Sequence, residues 1–346
     1  MEADGGIFHA EEEELEIVPG RRAPKIFRPR PNQFEMYRDI EFRRRFRLSK
    51  RVVLIIVDLL VSAIAPKRNV NHAITRTQKV LLTLRFFATG SHTIEISDRI
   101  GISESRGCEI IKEVAHQIAL LRPQFTSMPR TAEDIRKIQQ KFHAMSRFPK
   151  VVGSIDCTHV RLQSPGGDNA ELFRGRKGFF SRNVQCVTGP ELEILAIVTR
   201  WHGSSHDQTI FDFSSIKQRL EGEEFSDSHI IADSGNSSER TFGVLKRRFL
   251  ILSFGIRNDN ERVDAIITAC ADLHNIALTY NDEEPPVDPE VVIPPEIRRQ
   301  RPANRRQPGL NRPFVPVREH LVDWFTQLAN ADARRRAAAA AAQNAE

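Results

Sequence analysis

The chain has 346 residues, 40% of them hydrophobic and 21 of them Phe, with a formal net charge of +6. This is enough for about two domains with a buried core. No charge-free run of 18 or more apolar residues occurs, which argues against a membrane span, and four scattered cysteines without a CxxC spacing argue against a zinc site or a disulfide frame. A reduced intracellular compartment fits. The charge favours an anionic partner such as nucleic acid without requiring one.

Residues 1–34 read as a disordered tail in which an acidic patch, Glu11 to Glu14, gives way to basic residues among prolines. Neither part resembles a signal peptide. Residues 35–148 carry helical spacing throughout. Ser49 is a candidate cap for Val52–Ala65, a helix apolar nearly all round apart from Asp58 and ended by Pro66. Thr75–Thr89 is a second helix closed by Gly90. Thr93 to Ile100 forms a short helix, Gly101 a turn, and Ser103 caps a longer helix to Leu121. That is helix-turn-helix spacing, which also occurs in plain three-helix cores. The second helix presents Glu104, Ser105, Arg106 and Glu109 early, so Arg106 is its one candidate DNA contact. Thr131–Met145 is a further helix capped by Thr131, and Phe148-Pro149 ends the helical region.

Lys150–Val160 reads as a buried strand with Asp156 at its centre. A carboxylate there costs several kcal/mol unless compensated, so it is either held by an Arg or backbone donors or is a metal ligand. A loop from Ser164 to Phe180 mixes Arg174, Arg176 and Lys177 with Phe173, Phe179 and Phe180, which suits a phosphate-and-base surface as well as a solvated loop. Asn183–Val187 and Glu193–Thr199 complete a three-strand meander. Asp207 then opens a helix beside His206, as a capping acid or a ligand. Another short strand, His229 to Asp233, ends in an acid. The helix from Asn236 to Phe249 is capped by Ser237 or Ser238 and carries Glu239 and Lys246 at helical spacing. Asn260–Tyr280 is the last strong helix, with Val263, Ile266, Ile267, Cys270, Leu273 and Ile276 on its core face. Residues 281–346 read as a basic, Pro-rich disordered tail, a candidate import or DNA-anchoring segment or simply a solvated one.

Strand, strand, strand, helix, strand, helix is the order of a ribonuclease-H-like core, so the expected fold is α/β: a mixed sheet with an N-terminal helical domain. The four acids Asp156, Asp207, Asp233 and Glu239 offer hard oxygen ligands, which select Mg²⁺ or Mn²⁺ over zinc. Two such ions about 3.5–4 Å apart activate water and stabilise a leaving oxygen.

The blocks Ile-Asp-Cys-Thr-His-Val, Trp-His-Gly-Ser-Ser-His-Asp-Gln-Thr-Ile-Phe, Ile-Ala-Asp-Ser-Gly and Glu-Arg-Thr-Phe-Gly-Val-Leu-Lys-Arg-Arg-Phe, with Ala-Cys-Ala-Asp-Leu-His-Asn-Ile from Ala269, resemble the signature blocks of PIF/Harbinger transposases and the domesticated nucleases derived from them. The resemblance covers about residues 35–280. It implies a divalent-metal nuclease with Asp156, Asp207, Asp233 and Glu239 as metal ligands and Asp156, Asp233 and Glu239 as the catalytic set. It also implies residence in nucleus and cytoplasm and a separate Myb-like DNA-binding partner. In the family, the counterparts of Asp233 and Glu239 lie further apart, so a block is expected to be missing between Gly235 and Asn236, impairing metal affinity and catalysis. Two functions compete. One is a metal-dependent DNA nuclease with Lys246 on the phosphate; the other is a non-catalytic DNA-binding or scaffold protein of transposase descent.

Overall fold

The computed structural model describes residues 30–65, 73–222, 224–225, 227–232, 237–257 and 260–285. Asp233, the Gly235–Asn236 junction and most of both expected tails therefore lie outside the described residues.

The helical region contains α1 (Gln33–Met36), α2 (Asp39–Phe46), α3 (Lys50–Leu59), α4 (Arg76–Thr89), α5 (Thr93–Asp98), α6 (Glu104–Ala119), α7 (Arg122–Phe125) and α8 (Ala132–Ser146). The expected caps form. Ser49, Thr75, Ser103 and Thr131 each accept a hydrogen bond from the backbone N–H three residues on, satisfying donors that a helix start leaves open. Gly90 closes α4 at φ 64°, and a Cβ there would lie 3.3 Å from Ile251 Cα. Only glycine combines that conformation with that approach. Two expectations need correction. α3 stops at Leu59, not Ala65, and the chain turns back through Leu60–Ile64, where the buried Lys79 ammonium takes the Ile64 carbonyl. Nor is α3 apolar-buried all round: Val52, Val53, Ile56 and Val57 face the core while Leu54 is exposed, the one-stripe burial of an ordinary amphipathic helix.

The sheet contains β1 (Val151–Arg161), β2 (Ser181–Thr188), β3 (Ile194–His202) and, after α9 (Asp207–Asp212) and α10 (Ser215–Glu221), β4 (His229–Ala232). Then follow α11 (Ser237–Arg248), α12 (Ile251–Phe254) and α13 (Asn260–Thr279). The strand order is β3-β2-β1-β4, with β1–β2 and β2–β3 antiparallel and β4 parallel to β1. A four-stranded mixed sheet with this order is a ribonuclease-H-like core carrying N-terminal helices. No described helix is long and apolar enough to cross a membrane.

Each face of the sheet has its own apolar cluster. Val160, Val184 and Cys186 join α2–α6 and α11–α13 in one cluster, whereas Ile155, Val187 and Leu195 join Met128, Ile135 and Ile216 in the other. The core thus runs across the boundary expected at residues 148/149: the N-terminal helices and the sheet bury one continuous surface. Residues at the inner ends of both expected tails take part in the fold. Asn32 caps α1, and Asp282 is buried, accepting from Ser49 N at 3.0 Å and lying 3.8 Å from both Arg43 and Arg248.

α11 is fixed to β1 at two points. Ser238 Oγ lies 2.9 Å from Ser154 Oγ and 3.0 Å from Thr188 Oγ1, while Lys246 Nζ donates to Thr158 Oγ1 (2.7 Å) and His159 O (3.0 Å). Four strand residues from Ser154 to Thr158 span about 13 Å, and eight helical residues from Ser238 to Lys246 span about 12 Å. The two rulers match, so α11 runs alongside β1 in the same direction. Neither serine acts as the free cap expected from the sequence: Ser237 Oγ donates to Gly189 O at 3.1 Å, and both hydroxyls tie the helix to the sheet.

α13 makes a second polar anchor. Asn275 donates to Phe125 O, Thr126 Oγ1 and Ile194 O and accepts from Ile194 N. Thr126 Oγ1 donates to Asp272 Oδ1 at 2.6 Å, and His274 Nε2 meets Leu192 O at 2.9 Å. Asp272 and His274 are fully buried.

Burial pushes the Lys246 ammonium down to about 8. Because the folded value lies below the unfolded one, the unfolded chain holds the extra proton between pH 8 and 10.5, and stability rises with pH across that window by about 3 kcal/mol. Lys246→Met should flatten that rise in urea titrations at successive pH values; parallel slopes in the two proteins would contradict it. Burial raises the Asp272 carboxyl to about 7. Here the folded state keeps the proton longer, so stability is highest below pH 4 and falls as pH climbs to 7, by roughly 4 kcal/mol. Asp272→Asn should remove that decline, read as a Tm that no longer drops between pH 4 and 7 relative to wild type.

Candidate active site

Alternation along β1 sorts its polar side chains. Ser154, Asp156 and Thr158 face α11, and Ile155, Cys157 and His159 face the other way. Asp156 pairs across to Cys186 on β2, and burial, aided by the charge of Asp156, holds the Cys186 thiol well above its usual range. Asp156 is half-buried and accepts from Cys157 N at 2.7 Å. It lies between the two points where α11 is tied down, and its carboxylate partly offsets the burial that lowers the Lys246 ammonium. Glu239, exposed in the first turn of α11, directly follows the Ser238 anchor. Asp156 and Glu239 therefore belong to one strand–helix pair whose register is set by hydroxyls and an ammonium.

β4 reaches the same region. Ala232 is the parallel Cα partner of Ile155, one residue before Asp156. Asp233 follows Ala232 in the chain but is itself outside the described residues.

Asp207 sits elsewhere. It opens α9 as an exposed residue, and Asn183 Nδ2 donates to its Oδ1 at 2.8 Å. Asn183 is the partner of His159 across β1–β2, so Asp207 lies on the Cys157–His159 face. Burial and the Asp207 charge together push the Cys157 thiol up, and Gln185 Nε2 approaches Cys157 Sγ at 3.7 Å. The structure thus puts Asp156 on the sheet face where α11, the helix that carries Glu239, packs, and Asp207 on the opposite face.

Lys246 cannot be the exposed phosphate contact expected from the sequence: it is buried and spends its donors on β1. Arg106, at the start of α6, is exposed but bridged to Glu109 at 2.6 Å. The basic loop is more structured than its sequence suggested. Arg174 is held by Glu171 and Gly178 O and stacks on Phe180, Arg161 stacks on Phe179, and Phe173 is buried against His202. Its aromatics thus seat arginines and form no free stacking platform. Arg176 and Lys177 remain exposed. After burial and against the pull of Asp207, their charges and that of Lys246 help lower His159, whose Nδ1 lies 3.1 Å from Ser181 Oγ. His159 is therefore a neutral structural ring near neutral pH.

The oxygen donors of Asp156 and Glu239 suit a hard divalent cation. Among the described residues, no group of three or more His, Cys, Asp or Glu side chains is placed to hold one. Sequence reasoning missed the hydroxyls of Ser154, Thr158 and Thr188. Small polar residues within an apolar strand pattern were their only signal, and that signal does not say what they touch.

Comparison with known proteins bears on this site directly. The family model of DDE superfamily endonucleases matches residues 155–238, which run from β1 to the Ser238 anchor. The bovine and human proteins named "Putative nuclease HARBI1" are each 24% identical over 282 aligned positions, covering 71% of this chain and 80% of the relative. The Arabidopsis thaliana "Protein ALP1-like" is 23% identical over 253 positions, covering 59% of this chain and 61% of the relative. No solved structure matches. The order of acids along the chain, the ribonuclease-H-like sheet that carries them and these similarities converge: over most of its length the chain is similar to the proteins named "Putative nuclease HARBI1", and it contains a match to the DDE superfamily endonuclease model.

Proposed function

We propose that this protein is a divalent-metal-dependent nuclease that hydrolyses DNA phosphodiester bonds, with Asp156, Asp233 and Glu239 as its catalytic carboxylates. The observation that carries the reading is the fixed register of α11, the helix that carries Glu239, along β1, the strand that carries Asp156, in a chain similar to DDE endonucleases. A bound Mg²⁺ or Mn²⁺ would supply Lewis-acid activation of water and neutralisation of the leaving oxygen. The chain's own part is positional. Ser238 and Lys246 hold the two elements in register, His159 stays neutral, and exposed Arg176 and Lys177 offer charge to the substrate backbone. Asp207, on the far face, orients Asn183 behind β1 and is at most an outer member of the ligand set. DNA as substrate, a Myb-like protein as partner, and residence in nucleus and cytoplasm belong to the same proposal.

One observation favours the non-catalytic alternative, a DNA-binding or scaffold protein. The alignment with the bovine relative spans 282 positions but uses 71% of 346 residues, about 246, so about 36 positions of the relative have no counterpart here. A block missing before α11 would account for them.

The two readings separate on one variant. The nuclease reading expects Mn²⁺-dependent nicking of supercoiled DNA that falls on the order of 100-fold or more in Asp156→Ala. DNA retention without any nicking, identical in wild type and Asp156→Ala, would establish the non-catalytic one.

A further inference from the structure

Two glycines stand inside helices of the described residues, and their surroundings differ. Gly107 on α6 is explained by packing. A Cβ there would lie 2.0 Å from Ser97 Oγ and 3.1 Å from Thr93 Cγ2, so only glycine lets α5 lie this close. Gly243 is in the middle of α11, and among the described residues nothing lies within 4 Å of where its Cβ would be. Nor does Gly243 adopt a positive φ. A glycine inside a helix weakens it relative to alanine, because glycine loses more backbone freedom on folding. The described fold gives no reason for that cost at position 243.

The neighbours of Gly243 on the surface supply a reason. α11 buries eight of its 12 residues and exposes Glu239, Arg240, Gly243 and Arg247. Steps of three and four residues set Arg240, Gly243 and Arg247 on one line along the helix. The two arginines are seven residues apart, about 10.5 Å along the axis, with the bare backbone of Gly243 between them. The Arg247 guanidinium meets the Glu284 carboxylate at 3.2 Å, both side chains about half exposed, and a surface pair of this kind exchanges readily for another anion. Each strand of duplex DNA carries one phosphate per about 3.4 Å of its axis, so the arginines stand about three phosphate steps apart. Guanidinium forks suit phosphate oxygens, and a helix surface without a side chain lets another backbone approach closely. At its upstream end the same line reaches Glu239.

We propose that the exposed line Arg240–Gly243–Arg247 of α11 docks one phosphate backbone of duplex DNA. The two arginines grip phosphates two helical turns apart, and Gly243 is the clearance that lets the strand between them lie against the helix. The inference deepens the proposed function: it rests on DNA as the ligand and not on cleavage. It gives α11 a phosphate contact in place of Lys246, which is buried against β1.

The test is binding of the full chain to a fluorescein-labelled duplex, followed by anisotropy in EDTA over a salt series, so that cleavage does not enter. Open space around Gly243 means that Gly243→Ala and Gly243→Leu should melt above wild type, by about 2–4 °C. Both should nevertheless bind the duplex more weakly, Gly243→Leu by roughly tenfold or more. A gain in stability joined to a loss of binding is a pattern that a purely structural glycine does not produce. Arg240→Gln/Arg247→Gln should make the slope of log K against log[salt] shallower by about 1.8, for two phosphate contacts. The same loss of charge on α8, in Arg136→Gln/Lys137→Gln, should leave the slope unchanged. Wild-type affinity in Gly243→Leu overturns the proposal, as does a wild-type chain that fails to bind the duplex. A slope that falls equally in both charge variants marks diffuse attraction and overturns it too. So does a Gly243→Ala chain that melts below wild type, or a wild-type dimer that Gly243→Leu turns into a monomer, since the glycine would then serve the fold or a second copy. If binding behaves as expected but Mn²⁺ never produces nicking, the nuclease reading fails and this one stands; nicking with unimpaired binding in Gly243→Leu gives the reverse.

Discussion

The contact on which the site depends is the pairing of α11 with β1 through oxygen and nitrogen atoms. Apolar packing alone would let a helix slide along a sheet by a residue or two at modest cost, because Leu, Val and Phe side chains accept several neighbours. Directional groups remove that freedom. Ser238 has to meet Ser154 and Thr188, and Lys246 has to meet Thr158 and His159 O, about 12 Å further on. A slip of one residue would leave buried donors and acceptors without partners at both ends, at about 1–3 kcal/mol each. The strand position between the two ties is Asp156. A functional carboxylate placed there inherits a register that hydrophobic burial could not define so sharply.

Lys246 shows what such fixing costs. An ammonium in a site this buried is disfavoured, and its depressed pKa expresses that penalty. The same charge lies close to the element that carries Asp156, whose carboxylate partly offsets the burial of the ammonium. α13 repeats the arrangement at the other end of the sheet: Asn275 closes four hydrogen bonds around Ile194 and α7, and the neighbouring Asp272 is held in its protonated form near the bottom of the physiological range. In both places a few buried polar groups fix elements whose apolar surfaces are interchangeable.

Much of this could be read in the chain itself. Ser49, Thr75, Ser103 and Thr131 mark helix starts because a hydroxyl at that position satisfies an open N–H whatever the tertiary context. Gly90 and Gly101 mark turns for reasons equally local. The meander was legible from period-two alternation, and the fold followed from element order. Partners across space were not legible. The spacing of Glu239 and Lys246 was that of any dipole-favoured helix, and nothing nearby in sequence says that Lys246 points inward to Thr158. Asp207 looked equivalent to Asp156 because both are acids within the blocks that carry the family resemblance; only the strand alternation, through Asn183 opposite His159, separates their faces. Arg106 looked like a lone cation because Glu109 was counted as a neighbour and not as its partner.

The short connection between β4 and α11 is compatible with this geometry. From Ala232 to Ser237 the chain has five Cα–Cα steps of 3.8 Å, a reach of at most about 19 Å. Its two ends are close to the same place on β1. Ala232 pairs with Ile155 on the adjacent strand, a separation of about 4.8 Å, and the Ser238 hydroxyl lies 2.9 Å from that of Ser154. Four intervening residues thus suffice to bring α11 onto the sheet without stretching, and the helix enters where its two anchors require. Loss of a longer block here would not by itself separate Glu239 from Asp156. Any weakening of metal affinity is then more reasonably sought in the surroundings of the carboxylates than in the distance between them.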